Sequence, residues 1–287
     1  MGYETYVTTS NWRGKNENPK AHYLTADIRN YEDLTGIMDG VYVVFHLAGI
    51  LSHWVNKDPE RAIDVNIKGT WNVKRAAEKN GVERIIFAST SWVYGDPNYN
   101  PVDENHPAQP KDLLGVSKLA AENILRAAYI CPGTTHPCEV EYVILRIFNV
   151  YGPNAYDDGL YTSVFTKWIP QALKKESLEI HDDGTQTLDF VYVEDVADAF
   201  ISCMNQKAAN QTFNVGAQAV NLNGLAYMIN QLAENYVHPH YNVSHKKYIK
   251  WIKANTSKIE TMLDWKPKTP FKEGLRKTVD YYRQVQR

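Results

Sequence analysis

Two stretches of this chain bring together residue types that could do chemistry. In residues 112–128, DLLGVSKLAAENILRAA, Lys118 and Leu114 stand four positions apart and share one helix face. A lysine there is either a solvated surface charge or a working cation, and a leucine has no proton to pass. The second stretch is CPGTTHPC, where Cys131, His136 and Cys138 are candidate metal ligands. A closed site would need a fourth ligand and a better spacing, so a surface loop between helix and strand is the reading and no metal is expected. Ser89 and Thr90 close the apolar run RIIFAST with two hydroxyls at a strand end.

The elements that must position these groups follow from the apolar pattern. TYVTT, AHYLTADI, VYVVFHLAG, RIIFAST and EYVILRIFNV read as strands, and the third and fifth are nearly continuous apolar runs, as strands buried on both faces should be. Helical patterns separate them. PERAIDVNIKGTWNVKRAAEKNG has apolar residues at helical spacing and stops at Gly81. Alternating strand and helix predicts a parallel α/β sheet with right-handed crossovers. After FNVYGPN the pattern changes: YTSVFTKWIPQALKK reads as a helix, LEIHDDGTQTLDFVYV as strand, turn and strand, and VEDVADAFISCMNQ as a helix whose first turn is favoured by Glu194 and Asp195. TSKIETMLDW and FKEGLRKTVDYYRQV are two more helices. The division expected is a main nucleotide-binding domain over 1–150 and 189–214, with a smaller substrate lobe over 151–188 and 215–287. Ligands of such sheets sit at the carboxyl ends of the strands.

Composition narrows the function classes. The chain has 287 residues, 44% hydrophobic and 22% charged, with a formal net charge of −2. That balance provides no field to recruit nucleic acid or an anionic membrane. No apolar run approaches the ~18 residues needed to cross a bilayer, and MGYETYVTTS lacks the pattern of a secretion signal. With three Cys there is no disulfide framework, so a reducing, cytoplasmic setting is expected and the NQT, NVS and NTS triplets are read as chance.

VVFHLAG, NIKGTWNV, IIFASTSWVYGDP, GVSKLAAE, LRIFNVYGP, DFVYVEDVADA, FNVG and TSKIETMLDWKPKTPFKEGL occur in an order and spacing that resembles the extended short-chain dehydrogenase/reductase family, of the NAD-dependent sugar-nucleotide epimerase and dehydratase type. The resemblance covers nearly the whole chain. It implies a Rossmann-like doubly wound sheet, NAD as cofactor, a nucleotide sugar as ligand and a homodimer. It further implies that Asp27 and Ile28 lie beside the adenine, and that Leu47, Ala48 and Gly49 approach the cofactor's ribose and phosphates, with Ser89 and Phe148 also on the cofactor side. Thr90 takes the position of the catalytic hydroxyl, Lys118 that of the lysine that holds the nicotinamide ribose and lowers a tyrosine's pKa, and Asn149, Tyr94 and Tyr192 face substrate. Thr90, Lys118 and Asn149 should converge on one cleft. His46 reads as a strand-end packing residue and Arg146 as a structural one.

Three positions depart from the pattern. No G-x-x-G-x-x-G occurs anywhere, and GYETYVTTSNWRGK already resembles the family's second strand, so the first strand-turn-helix unit is expected to be missing. Either the second strand closes the gap, another chain fills it, or the true start lies upstream of Met1. VTTSN presents Thr8, Thr9 and Ser10 where an acid would hold the adenosine ribose. Leu114 occupies the place of the catalytic tyrosine, and Leu188 that of an arginine that grips the diphosphate. The expectation is a member of that family with impaired or altered catalysis and doubtful NAD binding; the alternative is a non-catalytic binding, regulatory or assembly subunit that kept the fold.

Overall fold

The structure is a computed structural model that describes residues 4–10, 18–130, 137–155, 163–243 and 249–285. Cys131 and His136 lie outside the described residues, as does the side chain of Cys138. The first two apolar runs form β1 (Thr5–Thr9) and β2 (Ala21–Thr25), paired in parallel. Helix α1 (Tyr31–Ile37) follows, started by the Asn30 side chain accepting from the Glu32 amide, and leads to β3 (Val43–His46). Next come α2 (Ser52–Lys57), α3 (Pro59–Ile63), a π-helical segment over Asp64–Gly69 and α4 (Thr70–Lys79). This run stops at Gly81, whose φ of +66° suits a residue without Cβ. Strand β4 (Arg84–Thr90) precedes α5 (Leu113–Arg126), which Asp112 caps by accepting from the Gly115 amide at 2.8 Å. A short antiparallel ladder, β5 (Tyr129–Ile130) with β6 (Pro137–Cys138), leads to β7 (Glu141–Ile147).

The second half contains β8 (Asn149–Tyr151), α6 (Val164–Leu173), β9 (Glu179–His181), β10 (Thr187–Tyr192), α7 (Val193–Ser202), β11 (Gln211–Val215), β12 (Gln218–Asn221), α8 (Leu222–Leu232), β13 (His240–Asn242), α9 (Ser257–Leu263) and α10 (Phe271–Val285). Helix α10 buries Phe271, Leu275, Thr278, Val279 and Tyr282, the one-sided stripe its sequence predicts. The main sheet runs β11–β7–β4–β3, all parallel. Ile85, Phe87 and Ile144 pack to one side of it with α1, α4 and α5, while Ile86, Val143 and Phe213 pack to the other with α7 and α9. A third core gathers Tyr151, Phe165, Trp168, Leu225 and Leu275 with Phe190 and Tyr192. Strand β10 therefore feeds two cores, because alternate side chains point to opposite faces: Val191 goes to the sheet and its neighbours to the third core.

The fold is the parallel α/β architecture expected, with two differences. The expectation of two-faced burial holds for β7, whose Val143–Arg146 stretch is buried, and fails for β3, where Phe45 is 41% exposed. The reason is position: β3 is the edge of the main sheet, and β1–β2 form a separate pair rather than continuing it. Strand β1 is thus not paired with β3. The other difference is at α7. Glu194 and Asp195 do occupy its first turn, but the buried Asp195 carboxylate accepts from the Lys268 and Thr269 amides and ties down the approach to α10.

Candidate functional site

Strand pairing sets the site. Thr90 at the end of β4 lies opposite Ile147 at the end of β7, and Asn149 follows two residues later. Helix α5 packs across this edge, and the Lys118 Nζ donates to the Ala88 carbonyl at 2.9 Å, two residues before Thr90. Thr90, Lys118 and Asn149 are therefore brought to one sheet edge by a strand, a helix and a strand. Thr90 accepts from the Trp92 amide and starts a short 3₁₀ turn, a capping duty that leaves its side chain half-buried. Asn149 donates to the Asp189 carbonyl at 2.9 Å.

Lys118 is buried, with its Nζ 4.8 Å from the Phe87 ring centroid. Loss of hydration lowers its pKa to about 8, and Glu122 one turn on opposes that drop. Gly49 explains how the ammonium fits: a Cβ built there would sit 2.9 Å from Nζ and 3.2 Å from Asn66 Oδ1. The smallness of Gly49 thus leaves room for the lysine. Leu47 and Ala48 beside it are exposed.

Asn66, Ser117 and Thr70 are polar side chains that sequence reasoning passed over. The Asn66 amide accepts from Ile50 N at 2.7 Å, and donates to Ile50 O at 3.1 Å and to Ser117 Oγ at 3.0 Å. Ser117 in turn donates to Leu114 O. One side chain thereby holds the loop after β3 against α5. The π-helical segment carries Asn66, a local device often found at functional positions. The available signal was a polar residue at a core position of an amphipathic helix. Next to it, buried His46 bonds Thr70 Oγ1 at 2.9 Å; burial, reinforced by the Lys118 charge, lowers its pKa to about 3 and keeps the ring neutral. It is the packing residue expected.

Leu114 is 6% exposed and packs with Val55 and Ala62, flanked by Ile50 and Leu113. It joins α5 to α2 and α3. Leu188 likewise packs between two apolar clusters.

Several expected site residues are committed elsewhere. Ser89 donates to Glu122, whose carboxylate also receives Arg146 Nε at 3.1 Å, Arg146 Nη2 at 2.8 Å and Arg126 at 2.9 Å. Burial would raise the Glu122 pKa, but the bonds and charge of Arg146 prevail and lower it. Ser89 is thus part of a buried strand–helix lock with Arg146, and its hydroxyl is not presented to a cofactor. Tyr94 is fully buried, its hydroxyl donating to Asn214 Oδ1 at 2.7 Å and its pKa raised to about 12 by burial. Tyr192 is buried in the third core, edge-on to Tyr151. The Tyr94 hydroxyl is thus committed to Asn214, and the Tyr192 ring to the third core. Phe148 is buried with Val93, Val102 and Ile252. Ile28 fills the hollow over Gly69, where a Cβ would meet its Cδ1 at 2.5 Å. Asp27 is paired with Arg29 and borders an open groove of about 600 Å³ that Asp64, Lys68 and Asn72 also line.

For a nicotinamide dinucleotide the residues fit at one end only. Lys118 and Thr90 suit a ribose and a sugar hydroxyl. Among the described residues no run carrying two glycines opens a helix, and the groove beside Asp27 sets Asp27, Glu32 and Asp64 against Arg29 and Lys68, a poor match for a pyrophosphate.

A parallel sheet of Rossmann type, with a lysine helix laid over the strand ends and a further apolar core beyond β8, defines the class. The family model described as NAD dependent epimerase/dehydratase family matches residues 1–216. A Methanocaldococcus jannaschii protein, provisionally named a UDP-glucose 4-epimerase, is 35% identical over 96% of this chain and 88% of its own. A Bacillus cytotoxicus UDP-N-acetyl-alpha-D-glucosaminuronate decarboxylase is 31% identical over 85% of this chain and 77% of its own. The crystal structure of Thermotoga maritima UDP-glucose 4-epimerase with UDP-glucose superposes with a TM-score of 0.90 at 28% identity, covering 100% of this chain and 93% of that one. The chain belongs to the NAD-dependent epimerase/dehydratase family.

Proposed function

We propose that the protein binds a UDP-sugar at the carboxyl ends of β4 and β7, and that sugar-nucleotide turnover is impaired. Thr90 and Asn149 face the sugar, and Lys118 supplies positive charge behind them. The observation that carries the reading is Leu114. The position one turn before Lys118 holds a side chain packed on Val55 and Ala62, with no proton to exchange with a sugar hydroxyl. Leu188 gives a diphosphate no charge-assisted clamp. The names of the relatives support a UDP-sugar as the ligand class, and they span an epimerase and a decarboxylase. A non-catalytic binding or assembly subunit is the second reading, favoured by the commitment of Ser89 and Tyr94 to internal bonds.

Calorimetric titration with UDP-glucose and UDP-N-acetylglucosamine, beside a chromatographic assay for conversion with added NAD⁺, tests the proposal. Saturable binding without conversion is expected. Steady conversion would show that another group carries the proton, and absence of any binding would remove the ligand assignment.

A further inference from the structure

Strand β4 is followed at its carboxyl end by the 3₁₀ turn Ser91–Tyr94, and the turn divides its side chains unequally. Ser91, Val93 and Tyr94 are buried, whereas Trp92 is 41% exposed. The turn is fixed on three sides. The Trp92 amide donates to Thr90 Oγ1 at 3.3 Å, and the Tyr94 hydroxyl is tied to Asn214. The Trp92 carbonyl lies against the first turn of α5, where a Cβ built on Gly115 would come within 2.5 Å of it. The backbone therefore holds Trp92 between Thr90 and the Leu114–Gly115 step of α5, at the end of the sheet where ligands of this architecture lie. Other indoles of the chain are spent internally. Trp168 and Trp265 are buried and donate Nε1–H to the carbonyls of Glu179 and Asp195 at 3.0 and 3.1 Å. Among the described residues the Trp92 indole has neither an acceptor nor a ring or cation against its face.

We propose that Trp92 is the stacking platform for the hexose ring of the UDP-sugar, and so a specificity-determining residue of the site. The assignment rests on the UDP-sugar reading above and adds to it the group that reads the sugar. An exposed indole offers a flat apolar face and one N–H donor. A hexose offers the counterparts, a ring face of C–H groups bordered by hydroxyls that accept. Trp92 is two residues from Thr90, so a sugar whose hydroxyl meets Thr90 has its ring beside the indole, whereas the uridine is two phosphates further along the ligand. The indole thus acts on the sugar and not on the nucleotide. It brings contact area and orientation to the ring, and it moves no proton, so the consequence of Leu114 for turnover is unchanged.

Titration calorimetry with UDP-glucose and with UDP, on the wild type, Trp92→Ala and Trp92→Phe, tests this. Trp92→Ala should weaken UDP-glucose by about fivefold or more and leave UDP within about twofold of the wild type. Trp92→Phe keeps a face without the donor and should fall between; it serves alone should the alanine variant not fold. Because the turn is held through its backbone, the thermal midpoints of both variants should stay near that of the wild type. Intrinsic fluorescence gives a second readout: the part of the change produced by UDP-glucose and not by UDP should be lost in Trp92→Phe. Equal UDP-glucose affinity in the wild type and a folded variant would overturn the platform and leave the UDP-sugar reading standing. A parallel loss for UDP and UDP-glucose would place the indole against the uracil and overturn it as well. Absence of UDP-glucose binding by the wild type would remove the UDP-sugar reading and the platform with it.

Discussion

Leu114 is the residue at which packing and chemistry compete most directly. Its side chain serves the junction of α5 with α2 and α3, and a phenol there must be inserted into filled space. Leu114→Tyr is expected to fold with a loss of about 1–3 kcal/mol and to gain no epimerase activity, because Leu188, which gives a diphosphate no charge-assisted clamp, is untouched. Chemical denaturation and a UDP-galactose assay with NAD⁺ check both halves, and turnover appearing in the variant would refute the account. Asp189 offers a pH test. Its carboxylate accepts from the Ala217 and Ala254 amides at 2.7 and 3.0 Å, and burial outweighs these bonds to raise its pKa to about 6. The folded value lies above the unfolded one, so between roughly pH 4 and 6 the folded state keeps a proton that the unfolded chain has lost. Stability from this group therefore falls as pH rises through that window. The urea midpoint of the wild type should decline from pH 4 to 6 relative to that of Asp189→Asn; parallel curves would show that Asp189 titrates normally.

At the level of elements, two polar devices fasten helices to the main sheet. Glu122 on α5 binds Ser89 on β4 and Arg146 on β7, and both carboxylate oxygens are used. Glu122→Ala leaves the buried guanidinium without its counter-charge and should cost about 3–5 kcal/mol, read as a lowered denaturation midpoint, with Glu122→Gln falling between. A change within about 1 kcal/mol would mean that water replaces the carboxylate beside Arg146. Asn66 does the corresponding work for the loop after β3. Asn66→Ala strands Ile50 N and leaves Ser117 Oγ with only its bond to Leu114 O, and faster amide exchange at Ile50 is the expected mark, with β4 unaffected.

Over the whole molecule the cofactor question is one of completeness. Lys118 and Thr90 suit a ribose and a sugar hydroxyl, and among the described residues no run carrying two glycines opens a helix to meet a pyrophosphate, so calorimetry with NAD⁺ should give no dissociation constant in the low micromolar range; one there, about −8 kcal/mol, would reveal a phosphate site elsewhere on the chain. Much of the fold was legible locally. The alternating apolar runs set strands and helices, Gly81 marked a helix end, and the order of the motifs specified a parallel sheet with Thr90, Lys118 and Asn149 at one edge. Those features depend on neighbours a few residues apart, through periodicity and capping. What stayed hidden depends on partners far along the chain. VYVVFH reads as a buried strand, but whether an apolar strand is central or an edge is decided by which strand pairs with it. The hydroxyls of Ser89 and Tyr94 look available in sequence and are claimed by Glu122 and Asn214, 33 and 120 positions away. Asn66 looks like a polar misfit in an apolar helix until the loop it holds is folded beside it. Residue types and spacing determined which groups could reach one end of the sheet; only tertiary packing, which satisfies buried polar groups with whatever lies nearest, decided which of them were left free to meet a ligand.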